Sequence, residues 1–288
     1  MLAATTPVIP GNVVSKTGDR AGLVQIGAGR KLYLQCRGAG SPIVVLVSGS
    51  GVAADNWSYT GDPGSRANPA KISASAVYPE IGKYTRVCAY DRPGTEQMNG
   101  AASRSTPVRQ PTTAEGDASD LQALLGAAKE PGPYVIVGHS WGGLIAIAYA
   151  RQYAREVSGL VLIDPGSPYL QRALPPEVWS QWMRDIQRAG QASPGAEQPD
   201  YPASIKAFRA APTLSQMPAV VLTSDKPFDY LGIGNARKYW TSWLKAQALL
   251  SDALRATHIS KTDSGHFVEN QNAELVNHEI RTVVAARR

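Results

Sequence analysis

The sequence predicts an α/β protein built on a doubly wound, mostly parallel β-sheet with an inserted helical cap. Short, uninterrupted apolar runs recur along the chain, as expected for strands buried on both faces of a parallel sheet. Between these runs lie stretches whose apolar residues are spaced about 3.6 positions apart, as in amphipathic helices. Strand and helix therefore alternate, which is the pattern of a doubly wound sheet.

The first predicted element is a hairpin. Residues 23–26 and 31–35 flank Gly27-Ala28-Gly29, and glycine tolerates the positive φ that a tight turn requires. Six apolar runs are predicted to be the remaining strands, the last of them weaker: residues 43–47, 86–90, 134–137, 159–163, 219–223 and 258–261. Four stretches are predicted to be the helices that separate or follow them: residues 113–128, 141–153, 235–254 and 269–284.

The alternation of strand and helix fails between Gly166 and Met217. We interpret residues 167–217 as a cap inserted over the mouth of the sheet, and residues 1–166 with 218–288 as the core domain. Two short helical candidates lie in the cap, at residues 177–188 and 203–210. A second insertion, near residues 55–84, is rich in Gly, Ser and Pro and is expected to border the site.

The composition limits the classes of protein to which this chain can belong. With 288 residues and 43% apolar residues, the chain is long enough for one large core. The net charge is +6, but Lys and Arg are scattered and only Arg287-Arg288 forms a terminal basic pair, so no nucleic-acid partner is expected. No apolar run approaches the roughly 20 residues that span a bilayer, so no membrane span is expected.

Ser140 is the predicted nucleophile. Strand candidate 134–137 runs into Gly-His-Ser-Trp-Gly at residues 138–142 and then into a helix, which is Gly-x-Ser-x-Gly in its strand, turn and helix context. The serine must occupy a strained turn, so its neighbours two places away need to lack side chains. Its Oγ would lie at the positive end of a helix, where developing negative charge is stabilised. We interpret the adjacent His139 as a packed histidine whose side chain points away from Ser140.

Serine needs a neighbouring base, which is normally histidine. The chain has four histidines, and His266 lies between the last strand candidate and the last helix, where this chain order requires the base. His258 lies within a strand and His278 within a helix, so both are interpreted as structural or solvated. A carboxylate at the end of a strand should hold the imidazole, and two candidates exist: Asp164 after residues 159–163 and Asp225 after residues 219–223.

The two cysteines indicate which cellular compartment the protein could occupy. Cys36 and Cys88 lie in separate strand candidates. If the strands are neighbours, a disulfide is possible and indicates an exported protein in an oxidising compartment, whereas two buried free thiols fit the cytoplasm. Residues 1–10 lack the basic start and apolar centre of an export signal, although a signal removed by processing would leave no trace.

Several motifs together resemble the α/β-hydrolase superfamily over nearly the whole chain. They are Gly-Ser-Pro-Ile-Val-Val-Leu at residues 40–46, Arg-Val-Cys-Ala-Tyr-Asp-Arg-Pro-Gly at 86–94, the turn at 138–142, Val-Ser-Gly-Leu-Val-Leu-Ile-Asp at 157–164 and Ser-Gly-His at 264–266. The resemblance implies the α/β-hydrolase fold and is weakly specific for substrate. It also places the strands of Cys36 and Cys88 side by side, which favours the disulfide.

The resemblance also bears on the acid and on the oxyanion hole. The family's usual acid position aligns with Pro227, whereas relatives such as haloalkane dehalogenases carry the acid at the end of the preceding strand, as Asp164 does here; Asp164 is therefore preferred and Asp225 is the runner-up. Where the family often has His-Gly, this chain has Ser-Gly at residues 48–49. Because the donors are backbone N–H groups, those of Ser50 and Trp141 would form the hole. Pro-Gly-Thr-Glu-Gln at residues 93–97 departs from the family pattern, so that loop differs.

The predicted reaction is a two-step acyl transfer on a small carboxylic ester through an acyl-enzyme, with no metal or organic cofactor. A lactonase or a peptidase of the same fold is the alternative, and a low-turnover ligand receptor is the alternative from another class. An epoxide hydrolase or dehalogenase of this fold would need an aspartate nucleophile. Apolar cap residues predicted to line a substrate pocket or to pack the cap are Trp179, Trp182, Met183, Tyr201 and Phe208.

Overall fold

The computed structural model describes residues 13–14 and 18–286. Residues 1–10 and the basic pair Arg287-Arg288 lie outside the described residues.

Eleven strands are present in these residues, and the hairpin and all six apolar runs are among them. The strands are β1 Val13–Val14, β2 Arg20–Gly27, β3 Arg30–Arg37, β4 Ile43–Val47, β5 Tyr59–Thr60, β6 Lys71–Ile72, β7 Val87–Tyr90, β8 Tyr134–His139, β9 Val157–Ile163, β10 Ala219–Leu222 and β11 Thr257–Ile259. The helices are α1 Val77–Ile81, α2 Ala114–Ala128, α3 Trp141–Gln152, α4 Leu170–Ala173, α5 Pro176–Ala192, α6 Tyr201–Ala210, α7 Trp240–Leu254, α8 Val268–Gln271 and α9 Ala273–Ala285. Two 3₁₀ helices span Ala54–Ser58 and Ala154–Glu156.

One large sheet carries nine of the strands in the order β1-β2-β3-β7-β4-β8-β9-β10-β11, while β5 and β6 pair separately. The pairs β1–β2, β2–β3 and β3–β7 are antiparallel. Every pair from β7 to β11 is parallel. The predicted α/β fold with a mostly parallel sheet is confirmed.

The central strands are apolar throughout because helices cover both faces of the sheet. All residues of β4 are buried. Successive side chains of a strand point to opposite faces, so Val45 belongs to the core with α2 and α3, whereas Val44 belongs to the core with α1 and α9. Since β4, β8 and β9 are parallel neighbours, the segments that follow them meet at one edge of the sheet, where ligands of such sheets usually bind.

Two predicted helices have different bounds in the structure. The stretch 235–254 is helical only from Trp240, because the Asn235 side chain accepts a hydrogen bond from the Arg237 N–H at 3.1 Å and holds the residues before Trp240 in a turn. The stretch 269–284 is divided into α8 and α9, because the Asn272 side chain accepts a hydrogen bond from the Leu275 N–H and begins a new helix.

Three helices, α4 to α6, lie between β9 and β10, where two short ones were predicted. The longest, α5, begins with Pro176, whose ring suits a first helical turn. The next, α6, is capped by Asp200, whose side chain accepts a hydrogen bond from the Ala203 N–H.

Cys36 and Cys88 are directly opposite each other in the antiparallel pair β3–β7, with Cα atoms 4.1 Å apart. They form a disulfide, so the alternative of two free thiols was wrong. Among the described helices, none combines the length and the apolar composition that crossing a membrane requires.

Candidate active site

Ser140 occupies the turn between β8 and α3. Its φ of 52° and ψ of −119° are an unfavourable conformation for a residue with a side chain. The flanking glycines make the turn possible: a Cβ on Gly142 would lie 2.2 Å from the Val47 carbonyl oxygen, and one on Gly138 would lie 2.3 Å from the Gly142 oxygen. The helix therefore passes closely over the strands, and the Ser140 hydroxyl is presented at its N-terminus.

His266 lies within hydrogen-bond distance of both Ser140 and Asp164. Its Nε2 is 3.0 Å from the Ser140 Oγ, and its Nδ1 is 2.7 Å from the Asp164 Oδ2. The imidazole is partly exposed at 19%, whereas the Asp164 side chain is fully buried. The turn after β8, the end of β9 and the loop after β11 thus bring three predicted side chains into one hydrogen-bonded chain.

The Asp164 carboxylate is held by two further hydrogen bonds. Its Oδ1 accepts the Ser224 backbone N–H at 3.0 Å and the Trp243 indole N–H at 2.9 Å. These leave Oδ2 directed at the imidazole, and a buried carboxylate with three donors is well compensated for its lost hydration.

The side chain of Asp225 points to the loop before His266 and not to the imidazole. Its carboxylate accepts the backbone N–H of Asp263 at 3.0 Å and of Ser264 at 2.9 Å. It therefore shapes the loop that precedes His266, while the structure brings Asp164 to the imidazole itself.

Aromatic rings surround the imidazole of His266. Phe228 stacks on it with ring centroids 4.3 Å apart and an interplanar angle of 19°, and Trp243 meets it edge-on at 5.7 Å. These rings shield the imidazole from water on those sides, which strengthens its remaining polar contacts. Phe228 was missed by the sequence analysis because it lies in an irregular segment that carries no motif.

His139 is buried behind His266, with ring centroids 4.6 Å apart. Its Nε2 lies 2.9 Å from the His266 carbonyl oxygen, and its Nδ1 lies 3.1 Å from the Glu269 Oε1. Burial lowers the pKa of His139 well below its ordinary value. Burial also favours the neutral form of Glu269, and it raises the pKa of this carboxyl to about 8. His139 is packed as predicted, but it also contacts the backbone of His266.

The 48–51 loop, which follows β4, lies against Ser140. A Cβ on Gly49 would come within 2.8 Å of the His139 Nδ1 and 3.2 Å of the Ser140 Cβ, so only glycine fits there. Ser50 follows directly in this loop. Trp141 begins α3, so its N–H has no intrahelical acceptor. The structure thus brings both predicted oxyanion donors to the edge of the sheet that holds Ser140.

A mainly apolar cavity of about 380 Å³ borders Ser50. Trp182, Ile186 and Tyr201 from α5 and α6 line it. Two of the five apolar residues singled out from the sequence therefore reach it. Trp179 packs edge-on against Trp182 at 5.6 Å. Phe208 packs against Tyr169 at 5.8 Å on another part of residues 167–217, the segment inserted between β9 and β10 (the inserted segment).

Within the described part of the chain, one group of side chains has the spacing to share a metal ion: Cys36, Cys88 and Glu130. The two sulfurs are joined to each other, and Glu130 is paired with Arg86. Neither thiolate is available as a ligand in this state.

Comparison with known proteins identifies the family. The model of the "Alpha/beta hydrolase family" matches residues 44–278. An uncharacterized protein of Schizosaccharomyces pombe is 29% identical over 170 residues, which cover 55% of this chain and 29% of that protein. Lipase LipV of Mycobacterium tuberculosis is 32% identical over 143 residues, which cover 49% of each chain. This chain thus spans about half or less of the length of these two relatives.

Among solved structures, a thermophilic esterase from Thermogutta terrifontis has the same fold. It is 21% identical, with a TM-score of 0.62 over 92% of this chain and 98% of the esterase. Because the family model covers most of the sequence and the fold agrees, the chain belongs to the alpha/beta hydrolase family.

Proposed function

We propose that this protein is a serine hydrolase that cleaves carboxylic esters. The observation that carries the proposal is the hydrogen-bonded chain from Ser140 through His266 to Asp164, with separations of 3.0 and 2.7 Å. A hydroxyl within reach of an imidazole that a buried carboxylate orients is the arrangement that makes serine nucleophilic.

In the proposed first step, the Ser140 Oγ attacks the ester carbonyl carbon while its proton passes to the Nε2 of His266. The Nδ1–H of His266 donates a hydrogen bond to Asp164, whose charge stabilises the imidazolium. The N–H groups of Ser50 and Trp141 bind the negative oxygen of the tetrahedral intermediate. When the carbon–oxygen bond breaks, His266 donates its proton to the leaving alkoxide, and an alcohol departs from the acyl-enzyme.

In the second step, His266 removes a proton from water, and the hydroxide attacks the acyl carbon. Collapse of the second intermediate breaks the bond to Ser140, whose oxygen recovers the proton from His266, and the acid is released. A lactone is a cyclic ester and would be opened by the same two steps. The completeness of the hydrogen-bonded chain favours an enzyme over a receptor that has lost turnover.

The cavity beside Ser50 supports an apolar group in the substrate. Trp182, Ile186 and Tyr201 offer dispersion contacts and few hydrogen bonds, so they suit an acyl chain or an apolar alcohol. We further propose that residues 167–217, which contain α5 and α6, act as the cap that supplies this wall.

The test is hydrolysis of p-nitrophenyl esters graded from acetyl to dodecanoyl, with wild type, Ser140→Ala and Trp182→Ala. We expect hydrolysis by the wild type, none above background by Ser140→Ala, and a changed chain-length preference in Trp182→Ala. Phe208→Ala, on a different part of the inserted segment, is the control and should keep the wild-type preference. Full activity of Ser140→Ala would refute the proposal.

The disulfide supports a location in an oxidising compartment. We propose export on this ground. Because both cysteines are buried, the protein is denatured as soon as it is recovered from its native cells. It should then resist maleimide labelling until a reductant is added, and labelling without reductant would argue for a reducing compartment.

A further inference from the structure

A buried ion pair connects the core with the inserted segment beside the candidate site. Arg92 follows β7, and Glu197 lies between α5 and α6; their side chains are 2% and 1% exposed. The Arg92 Nε donates to the Glu197 Oε1 at 2.5 Å, and the Nη2 donates to the Oε2 at 3.0 Å. Removing two charges from water is costly, so such a pair persists only when its other polar atoms are satisfied.

The remaining hydrogen bonds of this pair go to the 48–51 loop. The Arg92 Nη1 donates to the Ser48 carbonyl at 2.9 Å, and the Nη2 donates to the Gly49 carbonyl at 2.7 Å. The Gly51 N–H donates to the Glu197 Oε2 at 2.6 Å. Burial alone would lower the pKa of Arg92, but the Glu197 carboxylate raises it above the ordinary value, so the guanidinium stays charged.

These bonds determine where the N–H of Ser50 points. The Gly49 carbonyl and the Ser50 N–H belong to the same planar peptide group, and in a trans peptide they point in opposite directions. Because Arg92 holds that carbonyl, the N–H of Ser50 is turned to the side away from the guanidinium. A rotation of this peptide would carry the donor away from that direction.

We propose that Arg92 and Glu197 are positioning residues that aim the Ser50 N–H at the oxyanion formed on the substrate of Ser140. Glu197 acts through Arg92 and through Gly51, so a residue of the inserted segment controls the chemical step. The inference rests on the proposed function, because it needs an oxyanion at this site. It adds that the inserted segment contributes to turnover as well as to substrate contacts.

A matched pair of variants tests this, because a similar ion pair lies at the other end of β7. Arg86 precedes that strand and pairs with Glu130 through two hydrogen bonds of 2.6 Å, and it donates to the Gly38 carbonyl at 3.0 Å. Glu197→Gln and Glu130→Gln each remove the charge of a carboxylate that pairs with an arginine. Each of the two arginines also donates hydrogen bonds to backbone carbonyls. Both should lower the unfolding temperature.

Only Glu197→Gln should impair the chemical step. We expect its kcat on a p-nitrophenyl ester to fall roughly 10²-fold, the usual effect of losing one oxyanion donor, with KM changed less than about threefold. Binding of a trifluoromethyl ketone, which forms a tetrahedral oxyanion on the serine, should weaken in parallel. Glu130→Gln should keep the kcat and the inhibitor affinity of the wild type.

Arg92→Lys provides a second measurement if Glu197→Gln does not fold. A lysine ammonium keeps the charge but lacks the fork that holds two carbonyls and a carboxylate together, so the same fall in kcat is expected. Equal kcat values in the Glu197, Arg92 and Glu130 variants would overturn the positioning role. Wild-type protein that neither hydrolyses esters nor binds the ketone would instead refute the proposed function.

Discussion

The Oε1 of Glu269 lies 3.1 Å from the Nδ1 of His139, and both side chains are buried behind the imidazole of His266. Because burial raises the pKa of Glu269 to about 8 and lowers that of His139 well below its ordinary value, both are neutral near pH 7. A neutral acid beside a neutral imidazole avoids two uncompensated charges in the core. The Nε2 of His139 then donates to the His266 carbonyl and helps to hold that loop.

The proton on Glu269 makes the stability of the protein depend on pH. Its pKa is about 8 in the folded chain, against an ordinary 4.5 in the unfolded chain. Below pH 4.5 Glu269 is protonated in both the folded and the unfolded chain, and its contribution to the free energy of unfolding is fully present. Between the two values the unfolded state loses its proton first, so the free energy of unfolding falls as pH rises and the contribution is lost by about pH 8.

Glu269→Gln lacks this titration. Its free energy of unfolding, relative to the wild type at the same pH, should therefore rise by a few kcal/mol between about pH 5 and about pH 8. Comparison at equal pH removes the opposite trend from His139, whose lowered pKa makes stability rise with pH. Urea unfolding at three pH values measures the difference, and a difference independent of pH would contradict the assignment.

Asp164 and Asp225 should differ sharply in their effect on turnover. Asp164→Asn should lower kcat by about 10⁴, because an amide neither holds the correct tautomer of His266 nor stabilises its charge. Asp225→Asn keeps the fold and should change kcat less than about tenfold, since its contacts are with the loop backbone. Steady-state kinetics on one ester decides, and a collapse confined to Asp225→Asn would exclude Asp164 as the acid.

Gly142 should tolerate no side chain. A Cβ there would lie 2.2 Å from the Val47 oxygen and 2.5 Å from the Ser48 oxygen, so Gly142→Ala should cost more than about 4 kcal/mol or prevent folding. Gly126→Ala is the control, because Gly126 lies in α2 with nothing within 4 Å of an added Cβ. That change should raise stability by about 0.5–1 kcal/mol. Similar unfolding temperatures for both variants would contradict the close packing at the turn.

The disulfide should contribute measurably to stability. It connects positions 52 residues apart, so reduction should lower the free energy of unfolding by about 2–4 kcal/mol through the greater freedom of the unfolded chain. Thermal unfolding with and without reductant measures this. The double variant Cys36→Ala/Cys88→Ala is the control and should be insensitive to reductant, whereas an insensitive wild type would show that the bond is absent or without consequence.

The features predictable from sequence are those encoded by contiguous residues. The apolar run at β8, the two glycines around Ser140 and the following helix are adjacent in the chain, so one local pattern indicates the whole turn. The apolar spacing of residues 235–254 indicated a helix, but it held no sign that the Asn235 side chain would keep the residues before Trp240 in a turn.

The surroundings of the site depend on residues far apart in sequence. Glu197 meets Arg92 across 105 positions, and Phe228 reaches His266 from an irregular segment. Glu269 becomes neutral only because the fold buries it, which no single-residue property reveals. Such contacts follow from the tertiary structure, so the sequence indicated Ser140, His266 and Asp164 as candidates but not the groups that surround them.

The central claim is that His266 drives the Ser140 hydroxyl into an electrophilic centre. Incubation with a fluorophosphonate probe, followed by mass spectrometry of the digested protein, tests it most directly. We expect one adduct, on the peptide that contains Ser140, formed by the wild type and far more slowly by His266→Ala. An unlabelled wild type, or an adduct on another residue that persists in Ser140→Ala, would contradict the account.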